Sequence, residues 1–131
     1  MVAYSFKRRF IPLIQFGTKC QTIRADRKRH ARPGEVLQLY TGMRTPHCAL
    51  IGLAVCDSIT PIRIRLYPDP GIMFDGRSIT PLSGIDDFAR DDGFKDWKDM
   101  RRFWQDEHPD KPMFSGMLIR WREFQMSKPR P

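Results

Sequence analysis

Proline and glycine interrupt this chain so often that no long helix is possible: 11 prolines and 9 glycines fall among 131 residues. Each proline removes a backbone donor and fixes φ, and each glycine weakens a helix or strand unless a turn needs it. What remains is a succession of short segments, the pattern of a small β-rich domain rather than a helical bundle. The length suits one domain with one core, and the 40% hydrophobic content is enough to fill it.

Read in order, the segments give a strand over Val2–Phe6 and a short helix over Phe10–Phe16. Pro12 is tolerated in that helix's first turn, and Gly17 ends it in a left-handed conformation. Cys20–Arg24 alternates as a strand, and residues 25–34 form an exposed basic loop. Glu35–Thr41 is a strand, Gly42–Pro46 a turn, and His47–Cys56 an apolar strand expected to be covered on both faces. Pro61–Tyr67 alternates, with Ile62, Ile64 and Leu66 on one face and Arg63 and Arg65 on the other. Asp75-Gly76 predicts a tight hairpin within Ile72–Ile79. Ser83 is expected to cap one helix that Gly93 ends. Asp96 is expected to cap a second, whose Trp97, Met100, Phe103 and Trp104 recur at helical spacing as core rather than as base platforms. Met113–Trp121 returns to a strand. The expected organisation is one domain over residues 1–124 followed by a flexible tail, 125–131.

The net charge of +8 is not spread evenly. Residues 1–44 hold ten Lys/Arg against Asp26 and Glu35, while the rest of the chain balances thirteen against thirteen. A positive field confined to part of a surface attracts a polyanion, most often a phosphate chain. No apolar run approaches the roughly 18 residues that span a bilayer, so no membrane partner is expected. The segment MVAYSFKRRF lacks the order of a signal peptide, and a cytoplasmic location is expected. Cys20, Cys48 and Cys56 form neither a CxxC pair nor a metal-finger spacing with His30 and His47. They are expected as free, buried thiols, with no metal and no cofactor implied.

Within the basic third, Gly17-Thr18-Lys19-Cys20-Gln21-Thr22-Ile23-Arg24 is the segment with the chemistry of a site. Strand alternation puts Thr22 and Arg24 on one face, with Lys19 at the glycine turn beside them. A hydroxyl between two cations can hold a phosphate or polarise a carbonyl; a half-exposed strand with ordinary surface charges is the plainer reading. Tyr40 and Arg44 flank Gly42, where an aromatic ring could stack on a base and a guanidinium clamp its phosphate, or where Tyr40 could simply complete a core edge. Arg27, Lys28 and Arg29 could track phosphates or be merely solvated. Asp91 and Asp92 fall at a helix C-terminus, where the dipole disfavours a carboxylate, so each is either held by a cation or, as expected from position alone, solvated. No P-loop, dinucleotide fingerprint, nucleophile elbow or HExxH is present.

The ordered set of Gly17–Arg24, Pro33–Thr45 and Ala89-Arg90-Asp91-Asp92-Gly93-Phe94, followed by an aromatic helix and a terminal strand, resembles the ASCH family of PUA-like β-barrels across residues 6–123. The resemblance implies an α+β fold: a small barrel of about six strands with two to three flanking helices. It also implies RNA binding, with single-stranded RNA as the partner and single-strand ribonuclease activity among its possible activities. An amidohydrolase acting on an N-acylated cytidine-type nucleoside is the alternative. In the amidohydrolase type the working group falls on Lys19, Thr22 and Asp92, where the acid is normally glutamate. In the RNA-cleaving type Tyr40 matches the tyrosine and Ser115 the late serine, while Pro46 stands where a lysine is expected. The phosphate contacts would be Arg24, Arg27, Lys28, Arg29 and Arg44, with Ser115 beside the strand.

Overall fold

The fold turns on one 17-residue strand. In the computed structural model, which describes residues 1–127, β4 runs unbroken over Ala49–Arg65. It joins what the sequence suggests as two separate strands. On the β3 and β5 side Pro61 lies beyond the end of one pairing and before the start of the next, so no ladder on that side needs its missing N–H, while on the other side it stays opposite Met117 of β7.

Around β4 lie β1 (Val2–Phe6), β2 (Gln21–Arg24), β3 (Val36–Thr41), β5 (Gly71–Phe74), β6 (Arg77–Ile79) and β7 (Met113–Met126). β1 pairs parallel with β3, and every other pairing is antiparallel. The order is β1-β3-β4-β5-β6, with β7 paired to β4 and carrying β2 at its other edge. The ladder does not close: β1, β2 and β6 each pair with one neighbour. Among the described residues the expected barrel of about six strands is thus a seven-stranded mixed sheet with three α-helices, an α+β architecture. Register shifts at Leu53/Val55 and Cys56/Ser58 fall where β4 crosses β7, and bulges of this kind bend a strand.

Local chemistry sets the connections. Asp75 and Gly76 both take positive φ, 51° and 70°, and make the predicted hairpin. α1 (Ile11–Gln15), preceded by a 3-10 turn at Arg8–Phe10, is stopped by Gly17 at φ 79°. α3 (Trp97–Glu107) is capped as expected, with Asp96 accepting from the Asp99 N–H at 2.9 Å. α2 (Ile85–Asp91) is not capped by Ser83: Gly84 is its N-cap, while the Ser83 hydroxyl accepts from the Thr80 N–H at 2.8 Å and closes the preceding turn.

One core unites Leu37, Leu39, Ile64, Ile72, Leu118 and Ile119 of the sheet with Ile14, Ile85 and Met100 of the helices. β4 is covered on one face only, contrary to expectation: Ile51, Ala54 and Cys56 are buried, whereas Leu53 is 37% exposed. The outer positions Leu53, Asp57 and Arg63 of β4 keep contact with water. Cys56 is buried, but Cys20 and Cys48 are exposed, and all three thiols are free. β7 continues through Met126, and the Ser127 N–H donates to Ile51, inside the stretch expected as tail; residues 128–131 lie outside the described residues. Among the described residues no helix is long and apolar enough to cross a membrane.

Candidate functional site

Lys19 is a buried lysine, 3% exposed. The turn after α1 fixes its backbone: the N–H groups of Thr18 and Lys19 both donate to the Leu13 carbonyl. The side chain then crosses to the C-terminus of α2, where Nζ donates to the Asp92 carbonyl at 2.5 Å and stands 3.4 Å from Asp92 Oδ1. A helix C-terminus presents unpaired carbonyls and a negative dipole end, so a cation is favoured there. Gly93, at φ +96°, makes room: a Cβ at that position would lie 2.9 Å from Lys19 Cδ and 2.9 Å from Phe10 Cδ1. The ammonium also sits 4.8 Å from the centre of the Phe10 ring.

Asp92 is likewise 3% exposed, so the solvated carboxylate expected from its position is instead held inside the protein. Its Oδ1 also accepts from Gln21 Nε2 at 3.2 Å, and Gln21 Oε1 accepts from Arg120 Nε at 3.4 Å. Burial pushes the Lys19 ammonium below its ordinary pKa, opposed by the charge of Asp92. Burial pushes the Asp92 carboxyl above its ordinary value, opposed by Lys19 and Gln21. Desolvation therefore draws both groups toward their neutral forms, which suits a pair that exchanges a proton.

Thr22 and Arg24 project from β2 to the same place, as strand alternation predicts. Arg24 Nε donates to Thr22 Oγ1 at 2.9 Å and Nη2 donates to the Ser5 carbonyl at 2.7 Å. The guanidinium lies 4.8 Å from the Phe6 ring centre and 5.4 Å from that of Tyr4. Burial lowers its pKa to about 10, leaving it charged at neutral pH. Because Thr22 Oγ1 accepts from Arg24, the hydroxyl hydrogen is left to donate elsewhere.

These four side chains line one cavity of about 280 Å³, walled by Phe6, Phe10, Phe94, Phe103, Trp104 and Phe114. His108 stacks on Trp104 at 5.6 Å and 11°, and Lys7 pairs with Glu107 at 2.7 Å; all four residues belong to the cavity lining.

No family model and no curated protein matches the sequence. Solved structures do match. The crystal structure of ASCH from Zymomonas mobilis aligns with 95% of this chain and 68% of its own, at 14% identity and a TM-score of 0.56. A tyrosine-to-phenylalanine variant of that protein aligns with 98% of this chain and 73% of its own, at 13% identity and a TM-score of 0.58. The chain has the fold of the ASCH domain.

Within this ASCH fold the other sequence candidates lie apart from the cavity. Tyr40, on β3, is half-buried between Ser5 of β1 and Leu50 of β4 and does not line it. Arg44 is exposed on the following turn at φ 66°. Ser115 is exposed on β7 opposite Arg63. The basic loop is better tied down than its composition suggests. Tyr4 Oη bonds His30 Nδ1 at 2.9 Å, His30 Nε2 bonds the Ala25 carbonyl at 2.9 Å, and Ala31 is buried. Arg27 lies 4.5 Å from the Tyr4 ring centre, Lys28 is exposed, and Arg29 pairs with Glu35. Asp91, beside Asp92, is exposed. Among the described residues no group of three or more His, Cys, Asp or Glu is placed to hold a metal ion.

Sequence reasoning missed Gln21, Gly93 and the aromatic wall. Alternation placed Gln21 on the face opposite Thr22, yet both are buried, because the end of α2 covers the second face of β2. Phe103 and Trp104 carried a visible signal in their helical spacing; they serve the core and the cavity wall together.

Proposed function

We propose that this protein binds RNA by taking one unstacked base into the cavity floored by Lys19, Thr22, Arg24 and Asp92. The observation that carries the reading is the convergence of these four polar groups in a single aromatic-walled space of about 280 Å³. That is near the lower end of ligand-pocket volumes, suited to one base and its sugar and too small for a paired helix. Aromatic walls accept any base by its π-face, while fixed donors and acceptors read its edge. Arg24 lines the cavity and shares the Tyr4 ring with the exposed Arg27, so a strand whose base enters the cavity meets positive charge outside it. The test is the salt dependence of binding to a single-stranded oligonucleotide. Affinity that falls steeply with salt in the wild type, and at least tenfold at fixed salt in Arg24→Gln, supports the reading. Affinity indifferent to both overturns it.

A second reading has its own observation in favour: Lys19 and Asp92 form a buried pair with Thr22 in the same cavity. In hydrolysis of an N-acylated cytidine-type nucleoside, neutral Lys19 would take a proton from the attacking water. Thr22 would donate to the acyl oxygen, and Asp92 would relay the proton to the departing exocyclic amine, giving carboxylate and free nucleoside. Turnover of N-acetylcytidine that vanishes in Lys19→Ala favours this reading; unchanged turnover in that variant rules it out. Strand cleavage is not part of the proposal, because Tyr40, Arg44 and Ser115 do not share the cavity.

A further inference from the structure

We propose that the Lys7–Glu107 pair is the sugar-phosphate clamp of the cavity, with Glu107 accepting from a ribose 2′-hydroxyl and Lys7 meeting the adjoining phosphate. The ligand class is thereby narrowed to ribonucleotides, an inference that rests on the base-binding reading above. The cavity lining sorts by exposure into a floor and a mouth. Lys19 and Asp92 of the floor are each 3% exposed, whereas the side chains of Lys7 and Glu107, which line the same space, are 61% and 40% exposed. Reading a base by its pairing edge requires that edge to enter first. The glycosidic nitrogen lies on the other side of the ring, so the sugar is left at the mouth, beside these two residues.

Each residue is held where it can do this. Lys7 follows the last residue of β1, and its ammonium lies 5.5 Å from the centre of the Phe103 ring on the cavity wall. Glu107 is the last residue of α3, and the chain directly after it is fixed by the His108 ring, 5.6 Å from that of Trp104 and 5.3 Å from that of Phe114. A carboxylate in the last turn of a helix meets the negative end of the dipole, and α3 has no basic residue in that turn to offset it. Helix stability therefore gives no reason for an acid at this place. The cation that offsets it comes from the end of β1 instead, with Lys7 Nζ 2.7 Å from Glu107 Oε1. That contact leaves Oε2 and the remaining ammonium hydrogens to a ligand. An ionised carboxylate only accepts, so a hydroxyl is the partner it takes, and carboxylates of dinucleotide-binding folds hold ribose 2′-hydroxyls in this way. The 2′-hydroxyl is also the group that RNA carries and DNA lacks.

The test measures binding of a ten-nucleotide oligouridylate and its 2′-deoxy counterpart to the wild type, Glu107→Ala and Lys7→Ala. Both positions are exposed, and a surface ion pair contributes little to stability, so both variants are expected to fold. The wild type should prefer the ribo strand about tenfold, the low end for a hydrogen bond to a charged group. Glu107→Ala should erase that preference by weakening the ribo strand alone. Lys7→Ala should weaken both strands, lower the slope of log K against log salt by about 0.7, and keep the preference. Equal affinity for the two strands on the wild type, or a preference that survives Glu107→Ala, overturns the clamp and leaves the cavity reading standing. An unchanged salt slope in Lys7→Ala overturns the phosphate contact. Glu107→Ala that tightens both strands alike would make the pair a barrier at the mouth and overturn the clamp as well. Failure of both strands to bind the wild type overturns clamp and cavity together.

Discussion

Lys19 is bound to Asp92 more closely through the peptide than through the carboxylate: Nζ is 2.5 Å from the backbone oxygen and 3.4 Å from Oδ1. The lysine is thus anchored by the end of α2 itself, and the carboxylate supplies charge rather than position. The two contributions separate by substitution.

In Asp92→Asn the backbone carbonyl still holds Nζ and the side-chain oxygen still accepts from Gln21, but the negative charge is gone. Lys19 then sheds its proton more readily, because Asp92 is what opposes the lowering by burial. We expect a loss of stability on the order of 2 kcal/mol at neutral pH, less than for a buried charge left with no partner. The sign with pH follows from proton counting. With the folded pKa of Lys19 below its ordinary 10.5, the unfolded chain binds a proton that the folded chain does not, so stability rises with pH across that interval. The deficit of Asp92→Asn relative to wild type should shrink as pH rises toward 10.5. Urea unfolding of both proteins between neutral pH and that value measures it; a constant deficit would show that Lys19 does not titrate in the way proposed.

Gly93 and Gly17 both adopt left-handed conformations, at φ 96° and 79°, but only Gly93 is crowded. A Cβ at 17 meets nothing within 4 Å, whereas one at 93 meets Lys19 and Phe10 at 2.9 Å. Gly17→Ala should cost about 1 kcal/mol from backbone strain alone. Gly93→Ala should cost about 3 kcal/mol, because the lysine stem and the Phe10 ring must move as well. Ligand affinity should fall in the second variant and not in the first. Denaturant midpoints and binding isotherms read the two effects independently.

Asp96 caps α3, the helix that supplies Phe103 and Trp104 to the cavity wall. Asp96→Ala should cost about 1 kcal/mol, the usual loss for an N-cap. Asp99, in the same first turn, has its pKa lowered by its hydrogen bond to Arg9. Its contribution is therefore present above the unfolded carboxyl value and lost as pH falls through the folded one. Thermal unfolding at neutral pH and again below pH about 4, under the unfolded carboxyl value, should show wild type losing stability with acid, and Asp99→Asn losing less.

What the sequence made legible was local. Asp75-Gly76, Gly17 and Asp96 each act within a few residues, and each forms the turn or cap that its chemistry predicts. Thr22 and Arg24 were legible as a pair because strand alternation is a local rule. The burial of Asp92 was not: the dipole argument concerns one helix end, and the lysine that overrides it lies 73 residues earlier. Gln21 was hidden for the same reason, its partner lying 71 residues away. The continuity of β4 through Pro61 escaped because the tolerance of a proline depends on which neighbouring strands have ended there. Composition gave the basic third of the chain, but not which of its cations turn inward. Arg24 packs on Phe6 and Tyr4, while Lys28 stays in water.

Arg24 therefore carries the sharpest test of the cavity. Its guanidinium makes two directed bonds at once, Nε to Thr22 and Nη2 to the Ser5 carbonyl, while lying over two aromatic rings. A lysine keeps the charge but lacks the planar fork, so it cannot serve both oxygens and stack in the same pose. If the cavity requires only positive charge, Arg24→Lys should bind single-stranded RNA nearly as well as wild type. If Arg24 must hold Thr22 in place, the variant should lose about 2 kcal/mol of binding, roughly thirtyfold, with its salt slope unchanged. The unchanged slope is the decisive part, because it separates lost geometry from lost charge. Arg24→Gln, which removes both, should lose the affinity and flatten the slope together.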